Sequence, residues 1–200
     1  MSICVFGDSI TYGMSDRVQG GWVQRLRKFF ETEGYDISVY NSGICGDTSE
    51  GLLNRFQVEC RARDPEMIIF AIGINDARYI DNPDNPAVPL PHFQKNIQEL
   101  INQAQQFSKK IIFLGLTNVV ESLVMPLPDT QNEYYRLKNI AAYNQHLQEV
   151  CQKNNLPFLD VLDLLDDAEL EDGLHPDSNG HEKMYLIVRD YILNNHLILK

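Results

Sequence analysis

The chain has 200 residues, 44% hydrophobic and 22% charged, enough for one domain with its own core. Twenty-eight Asp and Glu against 17 Lys and Arg give a formal net charge of −11; such a field repels phosphate backbones and anionic lipid surfaces, so it argues against a nucleic-acid partner and reads as a solubility device. No apolar run approaches a membrane span, and Ile3–Phe6 is too short for the apolar region of a secretory signal and follows no basic segment, so a cytoplasmic protein without stable membrane insertion is expected.

Short β-branched runs alternate along the chain with longer stretches of helical period. Ile3–Phe6 predicts a first strand. Trp22, Val23, Leu26, Phe29 and Phe30 then form a helical stripe that stops at Gly34. A second strand is predicted at Ile37–Tyr40, a shorter helix around Leu52, Leu53 and Phe56, and a third strand at Met67–Ile72. The segment Ile80–Pro91, with Pro83, Pro86, Pro89 and Pro91, reads as a long loop. Ile97, Leu100, Ile101, Ala104 and Phe107 repeat at helical spacing, followed by a strand at Ile111–Leu116. A second long loop, Thr117–Thr130, contains Met125-Pro126-Leu127-Pro128. Ile140, Tyr143, Leu147, Val150 and Cys151 predict another helix, Phe158–Val161 a last strand, and Met184, Ile187, Val188, Tyr191 and Ile192 a final helix with start signals at Asp177–Asn179.

Several strand candidates are apolar throughout, as parallel strands are when helices cover both faces. The alternation predicts an α/β fold, a three-layer α/β/α sandwich around a parallel sheet, in one domain over residues 1–200. Loops after the carboxyl ends of such strands surround the ligand crevice, so the two long loops are expected to border a substrate pocket. Cys4, Cys45, Cys60 and Cys151 match neither a zinc site nor a disulfide framework; Cys4 and Cys151 read as core, and Cys45 as a reduced thiol in a glycine-rich turn.

Four segments carry the chemical information. Gly7-Asp8-Ser9-Ile10-Thr11 follows the first strand and can hold a serine hydroxyl at the rim of the sheet, although a turn or helix cap explains it equally well. Asn41-Ser42-Gly43-Ile44-Cys45-Gly46-Asp47-Thr48 follows the second; its two glycines let backbone N–H groups turn toward a developing negative charge. Asn75, in Gly73-Ile74-Asn75-Asp76 after the third strand, can aim a side-chain N–H at the same place or form an Asx turn. Asp172-Gly173-Leu174-His175-Pro176-Asp177 places a carboxylate three residues before a histidine, so that Asp172 can orient His175 toward a nucleophile. A metal site with His181 as an extra ligand ranks low, because no third ligand falls at recognisable spacing; His92, His146, His181 and His196 read as structural. Each segment alone has a commonplace reading. Together they supply nucleophile, base, orienter and oxyanion donors from one sheet edge.

In this combination the four segments resemble the blocks of the SGNH hydrolases, also called GDSL esterases and lipases, named for Ser, Gly, Asn and His, here Ser9, Gly43, Asn75 and His175. The matching stretches run from Phe6 to His181, with Ile10 where the family name has Leu. The Gly-x-Ser-x-Gly elbow of ordinary α/β-hydrolases is absent. The resemblance implies a flavodoxin-like sheet of five parallel strands and a carboxylic ester hydrolase that uses neither metal nor cofactor. It assigns Ser9, Asp172 and His175 to catalysis, and the backbone N–H groups of Ser9 and Gly43 with the Asn75 side chain to the oxyanion. Asp8 and Asp76 are expected to brace their turns. The expected partner is a small ester; a thioesterase or lysophospholipase of the same family is the alternative, and a binding module without turnover ranks below both. The oligomeric state is not readable from the sequence.

Overall fold

A computed structural model describes residues 1–82, 85–128, 130 and 132–199. Its strands are β1 (Ser2–Gly7), β2 (Ser38–Gly43), β3 (Met67–Ala71), β4 (Tyr79–Ile80), β5 (Lys110–Leu114), β6 (Glu133–Tyr134) and β7 (Phe158–Leu159). Its α-helices are α1 (Ser9–Tyr12), α2 (Gly21–Thr32), α3 (Ser49–Arg63), α4 (Ile74–Ala77), α5 (Leu90–Ala104), α6 (Leu137–Lys153) and α7 (Ser178–Asn194). Five strands form one parallel sheet in the order β2-β1-β3-β5-β7, the flavodoxin-like arrangement in which strand order reverses between β1 and β3. β4 and β6 pair separately as a short antiparallel ribbon.

The central strands carry no charged side chain inside the sheet. Ile3 to Phe6 and Met67 to Phe70 are all fully buried, which requires cover on both faces. The helices supply it with the stripes read from the sequence: Trp22, Val23, Leu26 and Phe30 on α2, Ile97, Leu100, Ile101 and Ala104 on α5, and Met184, Val188 and Ile192 on α7 are buried. α2 packs on α7, while α3, α5 and α6 pack in a row. On β1, β3 and β5, Phe6, Phe70 and Phe113 form a continuous aromatic layer with Phe56 of α3; the Phe6–Phe56 and Phe70–Phe113 ring centroids are each 4.9 Å apart.

Strand boundaries differ from expectation by one to three residues, most at the ends of β2, β5 and β7. β2 continues to Gly43 because the ladder with β1 persists through Val5–Asn41, Phe6–Ser42 and Gly7–Gly43. Residues 41–43 are therefore strand and not turn. β5 stops at Leu114, since its ladder with β3 ends at Phe113 and its ladder with β7 at Leu114; Val161, placed in the last strand by its apolar character, lies outside it. α3 runs 15 residues, longer than its three-residue apolar pattern suggests, with the Thr48 side chain capping its start. The ribbon joins the start of the first long loop to the segment just after the second: Tyr79 pairs with Tyr134 and Ile80 with Glu133. Residues 83, 84 and 129 of those loops lie outside the described residues.

The register levels the carboxyl ends of the strands, with Gly7 opposite both Gly43 and Ala71. The segments that follow β1, β2 and β3 therefore leave from one edge, as a ligand crevice at the switch point requires.

Candidate active site

The nucleophile candidate is set by a one-turn helix. Asp8 has extended backbone geometry and caps α1, its Oδ1 accepting from the Ile10 N–H at 3.0 Å. Helical geometry resumes at Ser9, so the chain turns at the sheet rim. Asp8 is 3% exposed. Burial pushes its carboxyl up to about 7, against the Ile10 hydrogen bond and the positive charge His175 can carry. Asp76 plays the matching part in the third segment: it accepts from the Ser49 N–H and from the Ser49 hydroxyl, tying α4 to the start of α3. Burial raises it to about 6, opposed by those bonds. Both acids hold turns.

Ser9 Oγ lies 2.8 Å from His175 Nε2, across 166 residues of sequence. Asp172 fixes the imidazole. Its Oδ2 is 2.6 Å from His175 Nδ1, while its Oδ1 accepts from the backbone N–H groups of Leu174 and His175 at 2.9 and 2.8 Å. Burial works against the charge on Asp172, but these bonds outweigh it and hold the carboxyl down at about 2. An ionised Asp172 can only accept, so Nδ1 carries the proton and Nε2 is left to accept from the serine hydroxyl. The loop itself is pinned from several sides: Glu171 N–H donates to His175 O, Asp177 N–H to Glu169 O, and Val120 N–H, from the second long loop, to Gly173 O. His181 on α7 is fully buried; its Nε2 bonds to the Met14 carbonyl and its Nδ1 accepts from the Trp22 N–H, a structural role.

A cleft of about 280 Å³ opens over this pair, with Ser9, Gly46, Asn75 and His175 in its wall and Met14, Leu127 and Leu174 as its apolar lining. Among the described residues, neither the Ser9 N–H nor the Gly46 N–H has an acceptor. Asn75 Nδ2 donates to the Asp47 carbonyl at 3.0 Å, which uses one of its two N–H groups and leaves the other. The expectation for Gly43 is corrected. Its N–H already donates to Asn41 Oδ1 at 2.9 Å, and it is absent from the cleft wall. What requires glycine there is close approach, since a Cβ would sit 2.3 Å from the Tyr12 nitrogen. Gly46, with φ at +77°, turns the backbone into the cleft instead. Three further wall residues, Arg78, Glu133 and Tyr135, come from the ribbon and its flanks; nothing in their local sequence marked them.

A hydroxyl bonded to an oriented imidazole, beside unoccupied N–H donors, is the apparatus of acyl transfer. The comparisons agree with that class. The GDSL-like Lipase/Acylhydrolase family matches residues 5–183, and the chain belongs to that family. It is 30% identical over 115 residues to the esterase TesA of Pseudomonas aeruginosa, a match covering 58% of this chain and 54% of that protein. It is 29% identical over 150 residues to an acetylxylan esterase of Geobacillus stearothermophilus, covering 72% and 67%. The matched stretch thus spans about half to two thirds of these relatives. Among solved structures, a lipase/acylhydrolase from Enterococcus faecalis superposes with a TM-score of 0.81 at 25% identity, over 97% of this chain and 96% of that one.

Proposed function

We propose that the protein is a serine esterase that passes through an acyl-enzyme on Ser9. The observation that carries this reading is the hydrogen-bonded chain from Ser9 Oγ to His175 Nε2 to Asp172, at 2.8 and 2.6 Å. His175 takes the hydroxyl proton as Oγ bonds to the ester carbonyl carbon, and Asp172 steadies the imidazolium that results. The carbonyl oxygen, now negative, accepts from the Ser9 N–H, the Gly46 N–H and the remaining Asn75 N–H; one such donor is worth about 3 kcal/mol. Collapse of the intermediate breaks the bond to the alcohol, which leaves with the proton from His175. Water then attacks the acyl group with His175 again as base, and Ser9 is restored.

The cleft favours a short acyl group. Each further buried methylene gains about 0.8 kcal/mol only where the wall is apolar, and Arg78, Thr130 and Glu133 share this wall. A long chain would desolvate them without replacing their partners. Hydrolysis of p-nitrophenyl esters from acetyl to decanoyl, on wild type and Ser9→Ala, tests both statements. The expected profile peaks at two to four carbons, and Ser9→Ala lowers kcat on the order of 10⁴-fold or more. Full activity in Ser9→Ala contradicts the mechanism, whereas a peak at long chains supports the thioesterase or lysophospholipase reading. Absence of turnover on any ester or thioester would leave a binding module.

A further inference from the structure

The ribbon β4–β6 ends on one residue of the proposed oxyanion site. Because Tyr79 pairs with Tyr134, the next positions outward, Arg78 and Tyr135, emerge side by side, and both reach Asn75. The Tyr135 hydroxyl is 2.9 Å from Asn75 Oδ1, and Arg78 Nη1 is 3.5 Å from the same oxygen. On its other side the carboxamide donates to the Asp47 carbonyl. The two outer partners are one-sided: a guanidinium has only donors and a backbone carbonyl only lone pairs. They fix which end of the amide is oxygen, so the tyrosine must donate. Tyr135 is 1% exposed, and burial pushes its hydroxyl up to about 12, so the donor proton stays in place at any working pH.

We infer that Tyr135 is a positioning residue, supported by Arg78, that locks the Asn75 carboxamide so that its one uncommitted N–H faces the oxyanion. The inference rests on the esterase reading above. Of the amide's hydrogen-bonding capacity, the oxygen is taken by Tyr135 and Arg78 and one N–H by Asp47, which leaves a single donor in a fixed direction. An electrostatic donor is effective in proportion to how little it must reorganise when charge develops. The ribbon, two residues in each strand, brings the chain that follows the second long loop back to Asn75.

The test is a double-mutant cycle of Tyr135→Phe and Asn75→Ala on p-nitrophenyl acetate, with kcat expressed per active site titrated by a fluorophosphonate. Tyr135→Phe is expected to lower kcat roughly five- to fiftyfold with KM within about twofold, the size of one positioned hydrogen bond. Asn75→Ala is expected to lower it on the order of 10²–10³-fold. In the Asn75→Ala background the tyrosine change should then matter by less than about twofold, because its target is gone. A loss of equal size in both backgrounds, with Ser9→Ala inactive, overturns the inference and leaves the esterase reading standing. An unimpaired Asn75→Ala enzyme also overturns it. Full activity in Ser9→Ala removes the esterase reading and this inference together. Should Tyr135→Phe fail to fold, Arg78→Ala in the same cycle carries the prediction, with a smaller loss that again vanishes when Asn75 is absent.

Discussion

Asp8 and Ser9 are neighbours in the chain with opposite demands on them: one is sealed beneath the turn, the other faces the cleft. The buried carboxyl holds its proton up to about pH 7, whereas an unfolded aspartate releases it near its ordinary value of 3.8. Between those values the folded protein binds more protons than the unfolded one. The contribution is present in full below about 3.8 and is lost as pH rises through about 7, so stability falls with pH. Asp8→Asn keeps an oxygen for the Ile10 N–H and removes the titration. Urea unfolding at pH 5, 6.5 and 8 should show the variant gaining on wild type as pH rises; parallel pH dependences would show that Asp8 does not hold its proton. Single residues were legible where chemistry demands one type. Ser9, Asn75, Asp172 and His175 all fall where the motifs put them, at the same edge of the sheet. The glycine was not so legible, because the second segment has two: Gly43 is needed for close approach and Gly46 for its positive φ, and spacing alone does not separate a steric requirement from a donor position.

Strands and helices were legible in proportion to how completely they bury a face. β1 and β3 are fully apolar inside and stand where expected; β2, on the sheet edge with Tyr40 39% exposed, carries a mixed pattern whose end is set by pairing with β1. The ribbon left no periodic signal, since two residues per strand are too few for one. The aromatic layer is the element whose loss should be felt most. Phe70 touches Phe6, Phe56 and Phe113, with centroids 6.0, 5.4 and 4.9 Å away. Phe70→Ala removes those contacts and leaves a cavity at the centre of the sheet, an expected cost of about 3–5 kcal/mol in chemical denaturation. A loss below about 1 kcal/mol would mean that the layer collapses around the gap and is not close-packed there.

The molecule as a whole brings together groups that the sequence keeps far apart. Ser9 sits after the first strand and His175 just before the last helix, and parallel winding with level carboxyl ends makes them neighbours. That convergence follows from strand–helix alternation and could be read in advance. The return of the chain to Asn75 after the second long loop could not, because it depends on a tertiary hydrogen bond from a tyrosine with an ordinary surrounding sequence. Among the described residues, no helix is long and apolar enough to cross a membrane. The central claim is that Ser9 is a nucleophile made reactive by His175. Reaction with a fluorophosphonate, followed by peptide mapping by mass spectrometry, tests it directly. One adduct per chain, on Ser9, forming on the order of 10³-fold more slowly in His175→Ala, is the predicted result; an adduct on another residue, or an unchanged rate in His175→Ala, would contradict it.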